Sequence, residues 1–180
     1  ALQLYSQNVE INKFGGRFKY SKINQLIDRV DNGITSNITK VIIRRDLKAS
    51  LNQFAQYELC FGNRFNINPA GYNIKSTGFT VSGSDKMAYL TDIPNKDSAG
   101  NLDGSMLGTI SIVSKNNKNQ QVVLVKGAGV VDYKKGEVIL NTINFTSTVA
   151  ENNIIEVQAY PESNDVVGLK DLFVSFNVSN

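Results

Sequence analysis

The sequence predicts a mainly β protein, a β-sandwich-like antiparallel fold with one short helix near the N-terminus; an α+β fold is the alternative. The strand list also fits a partial barrel. Three observations lead to this prediction. The chain of 180 residues contains about ten short segments in which apolar and polar residues alternate. Turn-forming residues separate these segments, and no strand–helix–strand alternation is present. One segment has the apolar spacing of an amphipathic helix.

The helix is predicted over residues 21–31. Its apolar side chains recur every three or four residues and form one stripe, made of Ile23, Leu26, Ile27 and Val30. We expect Ser21 to cap its N-terminus and Gly33 to follow its C-terminus, because these residue types are common there. The opposite face would then meet water or a partner, and it carries Lys22, Asn24, Gln25, Asp28 and Arg29.

Strands are predicted along the rest of the chain. They cover residues 39–45, 57–61, 72–81, 87–93, 108–114, 120–125, 129–133, 137–140, 153–160 and 172–178. Pro94 ends the fourth of these strands, because proline cannot donate a hydrogen bond to a ladder. Residues 94–104 are typical of an exposed loop. Two hairpins are expected, over residues 108–125 and 129–140, the second with Gly136 at a position of positive φ.

Two domains are predicted, an N-terminal arm and helix over residues 1–36 and a β-rich domain over residues 37–180. Residues 94–106 favour turns throughout, so the β-rich part is alternatively two small modules divided there. The chain begins with Ala1 and ends on a strand-like segment, and we interpret it as an excerpt from a longer polypeptide.

The composition argues against the common catalytic and metal sites. The chain has no His, which is the usual proton carrier and a frequent zinc ligand, and Cys60 has no second cysteine to pair with. Without a His to activate it, Cys60 is expected to be a buried, inert thiol. We therefore expect no catalytic residues, no metal ligands and no cofactor, and the protein is predicted not to be an enzyme.

Two patterns that invite a ligand fail on their spacing. Residues 127–129 (GAG) lack the third glycine and the following helix of a dinucleotide site, so they are predicted to form a turn or bulge. Asp92, Asp97 and Asp103 lack the alternating ligand spacing and the closing Glu of a calcium loop. A solvated loop is therefore the better interpretation of these three acids.

Charged residues are spread along the chain and give a net charge of +3. The densest basic run, Lys40, Arg44, Arg45 and Lys48, is interpreted as a solvated strand face and edge rather than a phosphate-binding stripe. Nothing in the sequence places the acid pairs Asp31 with Asp46, or Glu156 with Glu162, across a cleft. No apolar run reaches the ~20 residues needed to cross a bilayer. We expect no nucleic acid, membrane or small-molecule substrate as a partner.

Several tracts taken together resemble one protein family. They are residues 23–47, 57–65, 72–83, 89–104, 129–140 and 154–178, and the most specific stretches are residues 27–39 and 129–165. In this order they are similar to the C-terminal part of the baseplate wedge protein of T-even-type contractile-tailed bacteriophages. That protein is the subunit that builds the continuous ring of the baseplate.

The resemblance implies a structural protein of the virion, located in the tail baseplate and assembled in the host cytoplasm. It implies two copies per wedge, and therefore a homodimer and a ring of twelve, with other baseplate wedge proteins as further partners. The ring would hold together during the change from dome to star that triggers sheath contraction and DNA ejection. The family has no catalytic residues to carry over.

Four segments are candidate contact surfaces: the arm of residues 1–20, the water-facing side of the helix, the loop of residues 94–104 and the strand of residues 172–178. The plainer interpretations are a fragment end, a solvated helix face, an ordinary loop and a core strand. The alternative function is a carbohydrate- or receptor-binding β-sandwich module of a tail fibre or adhesin. A third option, a carboxylate-dependent glycan hydrolase, needs a cleft with two facing acids.

Overall fold

The computed structural model of the chain describes residues 2–7, 16–168 and 174–175. Its helical segments are α1 (Leu2–Ser6), α2 (Tyr20–Asp28) and the 3-10 turn η1 (Glu151–Asn153). Its strands are β1 (Arg17–Phe18), β2 (Ile43–Lys48), β3 (Phe54–Cys60), β4 (Lys75–Ser76), β5 (Phe79–Val81), β6 (Ser84–Pro94), β7 (Leu107–Lys115), β8 (Gln121–Asp132), β9 (Glu137–Thr148), β10 (Ile154–Ala159) and β11 (Val166–Val167). The pairings between these strands are antiparallel. The predicted mainly β, antiparallel class is therefore confirmed.

The described residues form two compact units. The first contains residues up to Val41 and from Ser163 onward, and it holds α1, α2 and the short antiparallel pair of β1 with β11. The second unit, Ile42–Glu162, holds the remaining strands. The domain boundary between residues 36 and 37 and the break near residues 94–106 stay predictions.

The second unit contains a sheet whose ends meet. Its strand order is β3-β9-β5-β6-β7-β8, with an additional pairing between β8 and β9. Residues 145–148 of β9 pair with β5, and residues 137–140 of β9 pair with β8. The strands from β5 to β9 therefore form a closed, barrel-like ring of pairings, which removes most of the sheet's open edges. A second sheet of three strands has the order β2-β10-β4.

The hydrophobic core of the second unit follows from alternation along the long strands. Leu90 of β6 pairs with Ile112 of β7, both are buried, and their sequence neighbours point to the other face. Val131 of β8 and Leu140 of β9 are also buried and point to the same face of the sheet. Aromatic rings are part of this core, and they include Phe79 packed edge-on against Phe145 at 5.0 Å.

The predicted helix is present but shorter than expected. It covers Tyr20–Asp28, and its N-cap residue is Lys19, whose side chain makes no capping hydrogen bond. The prediction that Ser21 caps the helix is therefore wrong. Arg29 is the C-cap residue and has a right-handed helical conformation. Gly33 lies further on, in a turn where its backbone N–H donates to the carboxylate of Asp31. Ile23 is buried, whereas Val30 lies beyond the helix and is exposed.

Three predicted strands differ clearly in extent, and one of them, predicted over residues 137–140, continues to Thr148. The strand predicted over residues 72–81 is interrupted, because the backbone N–H of Glu156 donates to the Thr77 hydroxyl and Thr77 N–H donates to the Glu156 carbonyl. Residues 75–76 join one sheet and residues 79–81 the other. The strand predicted over residues 39–45 begins only at Ile43, in register with β10. The prediction for residues 172–178 lies outside the described residues, apart from Val174 and Ser175, which form no strand.

Both predicted hairpins are confirmed, and they share one strand. Residues 107–115 pair with residues 121–132, and the latter pair again with β9 across a turn that contains Gly136 at φ 69°. The predicted bulge at residues 127–129 is also confirmed, since Gly127 has φ 72° and the register with β7 shifts there. This bulge lies inside β8, so the segments predicted as two strands form one.

Candidate interaction surfaces

The most enclosed polar cluster of the second unit is a carboxylate with two hydrogen-bond donors. Asp92 of β6 is fully buried, and its Oδ1 accepts the backbone N–H of Ile74 at 2.6 Å. Its Oδ2 accepts the hydroxyl of Tyr133 at 2.7 Å. Burial, followed by the negative charge of Asp92, raises the pKa of Tyr133 well above its usual range. The cluster ties β6 to the β8–β9 turn, and both side chains are closed to solvent.

The three acids considered for calcium do not converge. Asp92 lies in the core, whereas Asp97 and Asp103 stabilise turns of the exposed loop after β6. Asp97 accepts the backbone N–H groups of Ala99 and Asn101, and Asp103 accepts both the hydroxyl and the N–H of Ser105. The Ser105 hydroxyl lowers the pKa of Asp103. Within the part of the chain that the structure describes, no group of three His, Cys, Asp or Glu side chains is placed to hold a metal ion.

Of the four acids weighed as pairs, Asp46, Glu156 and Glu162 lie beside arginines, whereas Asp31 accepts the backbone N–H of Gly33 in a turn. Glu156 lies directly opposite Asp46 in the pairing of β10 with β2, and Arg44 forms ion pairs with both, at 3.0 and 3.1 Å. Glu162 forms an ion pair with Arg64 at 3.3 Å. Each of these carboxylates therefore has a cation beside it at the surface. The neighbour of Asp46 across the sheet was not predicted, because the pairing of β2 with β10 joins distant parts of the chain.

The prediction that Cys60 is buried is wrong, because the structure exposes this residue. Leu59 and Phe61 face the core on either side of it, and alternation along the strand turns Cys60 outward. Its cross-strand partner is Glu137 of β9, an acid, and not a basic group that would favour a thiolate.

A row of exposed apolar side chains crosses the outer face of the barrel-like sheet. Ile93 of β6 lies opposite Thr109 of β7, which lies opposite Val130 of β8, which lies opposite Ile139 of β9. Ile93, Val130 and Ile139 are all exposed. Directly opposite residues share one face, and three strand spacings place Ile93 and Ile139 roughly 14 Å apart. A row of this kind, in which the partly buried Thr109 separates Ile93 from Val130, is suited to contact with another protein.

The end of the β7–β8 hairpin carries a second exposed apolar group. Val122, Val123 and Val125 are 41%, 52% and 40% exposed. A shallow groove beside the hairpin turn is lined by Lys86, Met87, Tyr89, Ser114, Lys115, Asn116, Asn117, Lys118 and Gln120. Neither the apolar row nor the hairpin end was singled out from the sequence, although the unbroken run of apolar residues from Val122 to Val125 is a signal that could have indicated the latter.

The other predicted contact surfaces have mixed outcomes. In the helix α2, Lys22, Gln25 and Asp28 are exposed as expected, whereas Asn24 is partly buried. The predicted loop is exposed over residues 96–105, and it is held by turns and by a bridge between Lys96 and Leu102. Residues 8–15 of the arm lie outside the described residues. Among the helices that the structure describes, none combines the length and apolar character needed to span a membrane.

The comparison with known families finds a match at the start of the chain. Residues 1–46 match the family model described as baseplate structural protein gp6, C-terminal domain III. The match thus covers 46 of 180 residues, nearly all of them in the sequence of the first unit before β2. A search of curated proteins found no match. The family match supports a structural role in a baseplate.

Proposed function

We propose that this chain is a structural, non-catalytic subunit of a phage tail baseplate. The observation that carries the proposal is the match of residues 1–46 to the baseplate structural protein family. The sequence tracts beyond residue 46 that resemble the wedge protein of T-even-type phages support it from the rest of the chain. A location in the tail baseplate of the virion follows from the same observation.

The finer proposal is that copies of the chain associate with one another and with other baseplate wedge proteins. In the assembled baseplate, twelve copies would form the ring, built in the host cytoplasm from wedges with two copies each. The exposed apolar row of Ile93, Val130 and Ile139 supports a role in protein contact, because such a row is costly to leave in water. A rigid barrel-like unit would also suit a ring that stays connected while the baseplate changes from dome to star.

The chemistry of the buried groups supports a structural role. The buried hydroxyl of Tyr133 donates a hydrogen bond to the buried carboxylate of Asp92. At the surface, the carboxylates of Asp46, Glu156 and Glu162 form ion pairs with arginines. The buried hydrogen bond of Asp92 with Tyr133 stabilises the fold, and the surface carboxylates are engaged in ion pairs. We therefore assign the exposed surfaces, and not a pocket, as the functional part of the molecule.

Self-association is tested by the solution mass of the chain, measured by sedimentation equilibrium over a wide range of concentrations. We expect the mean mass to rise reversibly above that of the monomer. A mass that stays at the monomer value up to millimolar concentration would contradict self-association. Specific binding to members of a glycan array would favour the alternative, a receptor-binding module of a tail fibre.

A further inference from the structure

Asn32 and Gly33 form an exposed asparagine–glycine pair in the turn after α2. The turn is closed by the backbone N–H of Ile34, which donates to the carbonyl of Asp31 at 3.1 Å. Asn32 is the only asparagine in the sequence that directly precedes a glycine. This pair is chemically reactive, because glycine has no side chain to hinder attack by its backbone nitrogen on the neighbouring carboxamide.

We propose that Asn32 is a site of spontaneous deamidation, and that the hydrogen bond from Gly33 to Asp31 slows the reaction in the folded protein. The reaction uses water as its only co-reactant and needs neither an enzyme nor an oxidant. Asparagine is among the residues that limit the chemical lifetime of proteins. The proposal does not depend on the proposed function, since it follows from the chemistry of the turn alone.

The atoms of the turn and one water molecule account for the whole reaction. The Gly33 backbone nitrogen attacks Cγ of Asn32, a bond forms between these two atoms, and the bond from Cγ to Nδ2 breaks. The proton of the Gly33 nitrogen leaves with Nδ2 as ammonia, and a five-membered succinimide remains. Water then opens the ring at Cγ, which gives aspartate, or at the backbone carbonyl carbon of Asn32, which gives isoaspartate. Nothing is oxidised or reduced.

Asp31 restrains the attacking nitrogen. Its Oδ1 accepts the backbone N–H of Gly33 at 2.6 Å, and a Cβ at Gly33 would lie only 3.1 Å from the same oxygen. This hydrogen bond must break before the nitrogen can lose its proton and attack. A carboxylate is far too weak a base to remove an amide proton, and its negative charge opposes the nitrogen anion. Asp31 is therefore a positioning residue that slows the reaction.

The comparable pair elsewhere in the chain, Asp103 followed by Gly104, lacks the reactive group. The carboxylate of Asp103 accepts the hydroxyl of Ser105 at 2.6 Å and its backbone N–H at 2.8 Å. The Ser105 hydroxyl lowers the pKa of Asp103, which keeps this side chain ionised. An ionised carboxylate repels a nucleophile and has no good leaving group, whereas the neutral carboxamide of Asn32 can release ammonia.

Deamidation changes the charge of an exposed segment. Residues 28–37 contain two acids, Asp28 and Asp31, and one base, Arg29, so their net charge falls from −1 to −2 when Asn32 becomes an acid. Isoaspartate also adds one carbon to the main chain at this point. The segment lies within residues 1–46, which match the baseplate family model. The modified protein would therefore differ from the fresh protein within the matched sequence.

The test follows the full chain over several weeks at 37 °C and pH 7.4, by mass spectrometry after cleavage at lysine and arginine. Asn32 and Asn37 then share the peptide of residues 30–40, and fragment ions distinguish them. We expect Asn32 to react at least about tenfold faster than Asn37 or the exposed Asn101, which corresponds to a barrier lower by about 1.4 kcal/mol. The Asn32→Gln variant should lack the fast reaction. Equal rates at the three asparagines would overturn the site.

Two substitutions of Asp31 test the restraint. In the folded protein, Asp31→Ala should speed deamidation by about threefold, the size expected for loss of one hydrogen bond. Asp31→Asn keeps an acceptor oxygen at this position and should stay closer to the unmodified chain. In guanidinium chloride the turn is lost, and the three proteins should react at similar rates. An unchanged rate in folded Asp31→Ala, or an equal increase in guanidinium chloride, would overturn the role of Asp31. Circular dichroism confirms that each variant is folded before incubation.

Discussion

The hydroxyl of Tyr133 donates a 2.7 Å hydrogen bond to Oδ2 of Asp92, and both side chains are fully buried inside the barrel-like sheet. The two residues are 41 positions apart in the sequence. Asp92 lies on β6 and Tyr133 begins the turn after β8, so their bond joins parts of the sheet that are not neighbouring strands. Gly108 allows this contact, because a Cβ there would lie 2.8 Å from the Tyr133 hydroxyl oxygen.

Removing the Tyr133 hydroxyl should destabilise the fold. Tyr133→Phe leaves Oδ2 of a buried carboxylate without its donor, and we expect the free energy of unfolding to fall by about 1.5–3 kcal/mol. Chemical denaturation monitored by circular dichroism measures this loss. Asp92→Asn should cost less, since its amide can still accept from Ile74 and donate to the Tyr133 oxygen.

The control for this pair is Tyr72→Phe, which removes the hydroxyl of an exposed tyrosine. We expect it to change the free energy of unfolding by less than about 0.5 kcal/mol. Equal stabilities of the Tyr133→Phe and Tyr72→Phe proteins would contradict the role assigned to the buried hydrogen bond.

Stability should fall in alkaline solution because of Tyr133. Burial and the charge of Asp92 raise the pKa of Tyr133 in the folded protein, while the unfolded chain ionises near the ordinary value of about 10. The stabilisation is therefore complete below pH ~10 and is lost as pH rises further, by about 1.4 kcal/mol per pH unit. Urea denaturation at pH 8 to 11 measures it, and Tyr133→Phe should lack this part of the slope. Identical slopes for the two proteins would exclude Tyr133 as the cause.

Two glycines in β8 should respond differently to substitution by alanine. A Cβ at Gly129 would lie 2.2 Å from the carbonyl oxygen of Ile139, so Gly129→Ala must displace the paired strand β9. Gly127 has open space around it, and Gly127→Ala costs only the strain of a positive φ, about 1–2 kcal/mol. Thermal denaturation should show a clearly larger loss for Gly129→Ala. A larger loss for Gly127→Ala would show that the close approach of β8 and β9 at Gly129 is not as described.

A buried amide should hold the segment before β4 to the end of β10. The Nδ2 group of Asn73 donates to the carbonyls of Asn66 and Tyr160, at 2.6 and 3.1 Å, and its Oδ1 accepts Tyr160 N–H at 2.8 Å. Asn73→Ala should reduce the free energy of unfolding by about 2–4 kcal/mol, since these backbone groups lose their partner. Asn117→Ala, in the exposed hairpin turn, is the control and should have little effect. Denaturation curves that coincide for the two variants would contradict this role of Asn73.

The local parts of the fold could be predicted from the sequence. The hairpin around Gly136 and the bulge at Gly127 depend on residues close together in the chain, and both were found by their turn chemistry. The closure of the sheet could not be predicted, because β9 pairs with β5 and β8 through contacts between distant segments. Alternation alone does not state which strands become neighbours.

The candidate surfaces were predicted less well, for related reasons. The outer row of Ile93, Val130 and Ile139 exists only through the registers of four strands, and no local pattern contains it. The burial of Asp92 depends on Tyr133, which no spacing rule connects to it. The exposure of Cys60 was available from the sequence, since Leu59 and Phe61 already follow the alternation that turns Cys60 outward.

The central claim, that this chain is a structural protein of the tail baseplate, is tested most directly on virions. Gold-labelled antibodies raised against the chain should be imaged by electron microscopy on purified particles with extended and with contracted tails. The account predicts label at the baseplate end of the tail in both states. Label confined to the head or to the tips of the tail fibres, or particles that carry no label although the infected cells contain the chain, would contradict it.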